Sequence, residues 1–321
     1  MSRDRSTAGR RWFPGILLRA RPRGPTDIDP AAPQQSDALR AILLMCLGVG
    51  MFPFLNTCVK LLTAHYPVIE IVWARFTGHL LTMLAVFFPS RGWSIFRAHQ
   101  PAVQIARSFM LLGSTALFVS AIGRVPLATA SAIGFSSPII VTALSVPLLG
   151  ESVGPRRWGA VLVGFIGVLI VVRPGSAPLA PATLLLLGSA SCYALYQIAT
   201  RHSGAHDSAE TGIVYAALVG TIVTSLLVPF GFEMPHSGTD AALFAAIGVF
   251  GGIGHYFVIQ AFRLGPAALI SPFGYLELVG STVLGYVVFT NFPDSWTWVG
   301  AGLIVASGVY IAWRERRRRR H

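Results

Sequence analysis

Residues 271–289 read SPFGYLELVGSTVLGYVVF. The stretch is apolar enough to sit in lipid, yet it holds Ser271, Pro272, Gly274 and, near its middle, Glu277. A carboxylate at that depth costs about 2.5–3.5 kcal/mol even on an insertion scale, so its presence is a functional signal by default. Moving back 140 positions gives SAIGFSSPIIVTALSVPLL at 131–149. Ser131 then meets Ser271, Gly134 meets Gly274, Phe135 meets Tyr275, Thr142 meets Thr282 and Leu144 meets Leu284. The same offset brings Pro126 onto Pro266, Trp158 onto Trp298 and Glu70 onto Glu210. One residue more aligns the Gly-Ala at 159–160 with 300–301 and the Gly-Val at 167–168 with 308–309. The chain reads as an internal duplication, carried by residues 126–173 against 266–313 and faint elsewhere.

Composition says where the duplicated unit lives. The 321 residues are 53% hydrophobic and 12% charged, against about 25% charged in a soluble domain. Ten apolar stretches approach the roughly 20 residues needed to cross a bilayer. They cover about 41–62, 67–88, 101–123, 126–149, 157–173, 181–200, 211–231, 241–262, 266–289 and 296–313. Five spans per half is an odd number, so consecutive copies insert upside down relative to each other. The expectation is an all-α integral membrane protein with ten transmembrane helices in two inverted five-helix repeats, at 39–174 and 178–313. Inverted repeats suit alternating access, because two halves of similar sequence but opposite orientation make the inward-open and outward-open states similar in free energy.

The net charge of +12 does not point to nucleic acid, since no basic patch is interleaved with aromatic residues. Eight of the 25 basic residues lie in the first 40 positions and six in the last eight. With the N-terminus in the cytoplasm, cytoplasmic segments hold twenty Lys and Arg, and the other side holds only Lys60, Arg124 and Arg173. The positive-inside rule then places both termini in the cytoplasm. Residues 1–38 read as a disordered basic tail, because only Gly15–Leu18 is apolar before Arg19 interrupts and an export signal needs about 7–15 such residues. Residues 314–321 read as a second basic tail. Cys46, Cys58 and Cys192 sit in apolar runs with no ligand spacing and read as packing residues.

Spans 4 and 9 are the first place to look for a cargo site, since corresponding Gly/Pro-interrupted helices mark the midplane of such carriers. They offer Phe135, Ser136, Ser137, Tyr275 and Glu277, and their prolines are expected to free backbone carbonyls. Span 8 adds His255, Tyr256 and Gln260. Span 6 adds Tyr193, Tyr196 and Gln197, span 3 adds Arg107, span 2 adds Arg75 and span 1 adds Asn56. Depth along the helices brings His255 within reach of Glu277. Arg75 shares a face with His79, and Arg107 lies near enough to the surface to snorkel. No Walker motif, HExxH or nucleophile triad supports direct ATP use or the alternative of a membrane-embedded enzyme. No cofactor and no metal are expected.

PLATASAIGFSSPIIVTALSVPLLGESVGPRRWGAVLVGFIGVLIVVRPG at 126–175 closely resembles the end of the first repeat of the EamA type of the drug/metabolite transporter superfamily. AFRLGPAALISPFGYLELVGSTVLGYVVFTNFPDSWTWVGAGLIVASGVYIAWRE at 261–315 resembles the end of the second. The resemblance spans 41–313. It implies a central cavity lined by spans 1, 3, 4, 6, 8 and 9, a small-molecule cargo, and a multi-pass protein of the bacterial inner membrane, monomeric or homodimeric. The pattern is similar to branches that contain riboflavin importers, S-adenosylmethionine carriers and metallophore exporters. Five aromatic side chains (Phe135, Tyr193, Tyr196, Tyr256, Tyr275) lean the expectation toward a riboflavin-like ring, with export of amino acids or related metabolites as the alternative. One departure is local: the Gly-Glu at 150–151 has Thr290–Asn291 as its counterpart.

Overall fold

The computed structural model describes residues 35–149, 154–172, 181–203, 207–265 and 270–318. Among them the helices are α1 (Gln35–Leu62), α2 (Val68–Arg91), α3 (Pro101–Ile122), α4 (Leu127–Gly134), α5 (Ser137–Leu149), α6 (Pro155–Val172), α7 (Pro181–Ser203), α8 (Ala209–Leu227), α9 (Gly238–Leu264), α10 (Leu276–Phe289) and α11 (Ser295–Arg318). A 3-10 turn at Ser271–Tyr275 leads into α10. α4 with α5, and the turn with α10, each form one interrupted segment, which gives ten segments in all. Seven helical stretches are long and apolar enough to cross a membrane, and Trp158–Val172, Phe273–Phe289 and Ser295–Ile311 are shorter apolar helices. α1 begins inside the segment expected to be a tail. The remainder of that segment, and the Gly150–Glu151 pair, lie outside the described residues.

The outer surface explains what the composition implies. On α6 alone Leu162, Val163, Phe165, Ile166 and Leu169 are exposed, and Leu226, Val279, Val283 and Val287 are exposed elsewhere. Exposed apolar side chains in this number suit contact with hydrocarbon. Inside, the core runs from Leu55 and Val59 on α1 through Ile71 and Phe76 on α2 to Ile247 on α9 and Ile304 on α11.

Contacts between named residues fix the helix directions. α1 runs antiparallel to α9, with Gly48 against Gly254 and Val258, and Leu55 against Gly251. α9 runs parallel to α2 through Gly78–Gly248 and Thr82–Gly252. α2 is antiparallel to α8, where Phe76 faces Gly220 and Trp73 Nε1 donates to Ser225 Oγ at 2.9 Å. α3 is antiparallel to α7, with Ser114 and Ser189 hydroxyls 3.1 Å apart. α3 is parallel to α8, where Gln104 Nε2 donates to Asp207 Oδ2 and Arg107 Nη2 to the Gly212 carbonyl. α6 packs on α11, where Ser307 Oγ donates to the Ala160 carbonyl at 2.6 Å. α4 packs on α10, where Ser131 Oγ donates to Ser281 Oγ at 2.8 Å.

The pairing scheme survives exchange of the two halves. α1 with α9 has its counterpart in α7 with α3, α2 with α9 in α8 with α3, and α1 with α10 in α7 with α4 and α5. The pairs α2 with α8, α4 with α10, and α6 with α11 are their own counterparts. Small residues make this possible, because glycine and serine let backbones approach where no hydrophobic effect drives helices together in lipid.

The interruption in the fourth span has a definite cause. Pro138 has no N–H to give the Gly134 carbonyl, four residues back. Ser137 Oγ donates to that carbonyl instead, at 2.8 Å. The Ser136 carbonyl accepts the amides of both Ile139 and Ile140 at 3.0 Å. The expectation that this proline frees carbonyls for a ligand is therefore corrected: the break is satisfied internally, as backbone at membrane depth must be.

The Thr290–Asn291 departure also has a structural reading. Thr290 ends α10 in the left-handed region at φ 54°, and the amides of Thr290 and Asn291 bond back to the Tyr286 and Gly285 carbonyls at 2.9 and 3.0 Å. This helix stop favours glycine, and a β-branched side chain there is strained. Thr290→Gly is expected to stabilise the protein by about 1 kcal/mol, seen as a higher midpoint of thermal unfolding in detergent. An unchanged or lower midpoint would count against the strain.

Candidate functional site

The site is built around Glu277 in the first turn of α10. Asn56 Nδ2, from α1, donates to Glu277 Oε1 at 3.3 Å. Gly280 makes the approach possible, since a Cβ there would lie 2.6 Å from Pro53 Cγ, one turn from Asn56. Arg75, from α2, is close enough to interact electrostatically with both Glu277 and Tyr193. Arg75, Glu277 and His255 are neither fully buried nor exposed, and Tyr193 is 41% exposed. All four nevertheless lie deep in the protein. Groups that are both deep and accessible border an internal hollow.

The hollow's wall on one side is a pair of tyrosines on α7. Tyr193 and Tyr196 stack with ring centroids 5.8 Å apart and planes inclined by 23°. Arg107 holds Tyr196 in place: Nη2 donates to its hydroxyl at 3.2 Å, and the guanidinium carbon lies 5.0 Å from its ring centroid. Arg107 itself is 4% exposed and also bonds the Gly212 carbonyl at 3.0 Å. Gly212 has no side chain because a Cβ would lie 2.8 Å from that guanidinium. Arg107 thus braces the wall, and the expectation that it snorkels to the surface is corrected.

Two histidines also approach Arg75. His255 on α9 meets His79 on α2 edge to face, with centroids 4.9 Å apart, and meets Phe52 on α1 at 5.1 Å. His79 Nε2 and His255 Nδ1 are buried without a hydrogen-bond partner among the described residues. The expected pairing of His255 with Glu277 is not what the structure shows: Asn56 takes the carboxylate and His79 takes the imidazole. In the sequence His79 stands out only as a residue on the face of Arg75, one turn away.

The remaining sequence candidates sit around this centre. The Phe135 ring lies 5.0 Å from the Tyr275 ring, which joins the two interrupted segments. The Tyr275 hydroxyl fills the place where a Gly308 side chain would be. Ser136 is buried with its hydroxyl unpaired among the described residues, while Ser137 closes the helix break. Gln197 and Gln260 are half-buried. Tyr256 packs beside Phe87 in an apolar cluster with Leu80, Met83 and Ile259.

Both ends of the bundle carry ties. At one end Glu210 Oε1 is 3.4 Å from Arg91 Nη2 and 3.2 Å from Arg263 Nη1. Asp207, beside it, accepts from the His99 amide and from Gln104. Burial would raise that carboxyl, but the donors from Gln104 and His99 outweigh it and hold it below the usual carboxylate range. At the other end Lys60 Nζ donates to the Ile122 and Val125 carbonyls and lies 5.2 Å from the Phe289 ring centroid. There Glu70 accepts from the Glu233 amide at 3.1 Å.

The EamA-like transporter family matches this chain twice, at residues 39–173 and 180–313. The protein belongs to that family. It is 28% identical to the S-adenosylmethionine uptake transporter of Rickettsia felis over 88% of this chain and 97% of that one. It is 30% identical to the riboflavin transporter of Vibrio cholerae over 70% and 76%. A pseudopaline exporter of Pseudomonas aeruginosa is 28% identical over 84% and 95%. A crystal structure at 21% identity superposes with a TM-score of 0.62, covering 88% of this chain and 99% of its own, and shares the fold. Membership in this family makes the chain a membrane protein whose relatives are transporters rather than enzymes.

Proposed function

We propose that the protein is a secondary transporter or facilitator that carries a small organic metabolite across the bacterial inner membrane by alternating access through the hollow. One observation carries the reading: charged and polar side chains from α1, α2, α7, α9 and α10 converge at depth on accessible space between the two halves. Polar groups in lipid are costly and are kept where they meet a cargo or a water-filled path. The helix directions support inverted repeats, since α1, α2 and α3 run opposite to α7, α8 and α9. The pairing scheme that survives exchange of the halves supports the same arrangement.

Twenty basic residues against three support both termini in the cytoplasm. The ring wall at Tyr193 and Tyr196 supports a cargo with a planar part. The V. cholerae relative is named for riboflavin and the R. felis relative for S-adenosylmethionine; the opposed charges of Arg75 and Glu277 match the second chemistry better than an uncharged flavin. Flux of labelled S-adenosylmethionine, riboflavin and amino acids into proteoliposomes tests the function, and vesicles that move none of them would overturn it.

Orientation has its own test. In a chain with Cys46, Cys58 and Cys192 changed to serine, Met234→Cys is expected to react with an impermeant maleimide in intact cells. Ser94→Cys should react only after the membrane is opened. The reverse pattern would invert the topology.

A further inference from the structure

We infer that Glu210, with Arg91 and Arg263, is an ionic latch that closes one end of the bundle more firmly than the other, so that the unloaded carrier opens first at the end of Glu70. That first-opening end is the outer one in the orientation proposed above. The inference deepens the alternating-access reading and rests on it. Glu70 and Glu210 are counterparts at the offset of 140 residues, each in the first turn of its helix, α2 and α8. Both are buried. Each reaches across the antiparallel α2 and α8 pair to chain at the far end of its partner helix. The same contact is thus made twice, once at each end of the bundle, and the two versions differ in charge.

At the Glu210 end the contact is ionic. Glu210 Oε1 lies 3.4 Å from Arg91 Nη2, at the end of α2 in the other half, and 3.2 Å from Arg263 Nη1, at the end of α9. At the Glu70 end the contact is a single hydrogen bond, from the Glu233 amide at 3.1 Å. The side chain that follows this amide is itself an acid, and its carboxylate lies 3.9 Å from His236. Lys60, the basic residue tied down at that end, donates to the Ile122 and Val125 carbonyls of its own half. Uncharged donors to a carboxylate occur at both ends and do not separate them: Gln104 donates to Asp207 at one, and the Tyr66 hydroxyl to Asp240 at the other. The arginines are the difference. A buried carboxylate parted from its cations is costly, so parting α2 from α8 at the Glu210 end has a higher cost than at the Glu70 end, where only a backbone donor is released.

The test uses the full chain in lipid nanodiscs, with Cys46, Cys58 and Cys192 changed to serine and spin labels placed across one end at a time. Ser94→Cys with Ala209→Cys spans the Glu210 end, and Ala64→Cys with Met234→Cys spans the Glu70 end. All four positions are exposed. In the unloaded wild type the Glu70-end pair is expected to show the larger share of long distances. Glu210→Gln should raise the open-to-closed ratio at its own end about tenfold, the size of one lost charge-assisted hydrogen bond. It leaves two half-exposed arginines that water can solvate, so the fold is expected to hold. Glu70→Gln should leave both ends unchanged, because an amide oxygen still accepts from Glu233. Arg91→Gln should open the Glu210 end in the same direction, and it decides the matter should the melting midpoint show that Glu210→Gln does not fold. A wild type that opens equally at both ends or more at the Glu210 end, or equal effects of Glu70→Gln and Glu210→Gln, overturns the latch. Proteoliposome flux separates this from the carrier reading. Flux with no opening on Glu210→Gln or Arg91→Gln removes the latch and keeps the carrier. Opening of the Glu210 end without flux of any cargo keeps the latch and removes the carrier.

Discussion

Arg75→Gln is expected to lower cargo flux into proteoliposomes by about 100-fold or more, the effect of losing a charged contact in a water-poor site, while leaving the melting midpoint unchanged or raised. The two halves of this expectation come from one observation. Because the guanidinium makes no hydrogen bond among the described residues, its removal strands no hydrogen-bond partner. Glu277 keeps Asn56 at 3.3 Å, and His79 and His255 keep each other. Removing a buried charge relieves its own desolvation cost, which offsets the electrostatic support that Glu277 loses, so stability need not fall. Arg107 is the opposite case. Its guanidinium holds the Tyr196 hydroxyl and the Gly212 carbonyl, so it belongs to the scaffold of the wall. Flux and melting measured together on Arg75→Gln read the distinction. Normal flux, or a large loss of stability, would show that Arg75 is a structural charge.

The sequence disclosed the architecture through features that act locally. Apolar run length marks a span because hydrocarbon thickness is fixed, and Pro138 marks a break because a missing N–H has one consequence. The offset of 140 residues placed the two interruptions together, and the structure brings Phe135 and Tyr275 into contact there. What depends on rotation about helix axes was not legible. His255 and Glu277 were matched by depth along their helices, but depth carries no information about which way each side chain points. Tyr256, one residue after His255, faces an apolar cluster for the same reason: adjacent helical positions are separated by about 100° of rotation. Arg107 read as a snorkelling residue because Gly212 lies over a hundred positions away in the chain. The pairing of His79 with His255 likewise needs two helices from different halves.

Gly248→Leu is expected to cost about 3 kcal/mol or more, as overpacking does where no cavity can absorb the new atoms, and to abolish flux as well. At this crossing α2 and α9 touch backbone to backbone. A Cβ on Gly248 would lie 2.6 Å from the Gly78 Cα, so main chain rather than a movable side chain is in the way. Relief requires the helices to separate, and Arg75 and His79 flank Gly78 on α2 while His255 lies two turns beyond Gly248. The displacement that relieves the clash therefore pulls His79 from His255 and carries Arg75 away from Glu277. A thermal midpoint for Gly248→Leu equal to wild type in the same detergent would show that the helices can part without loss.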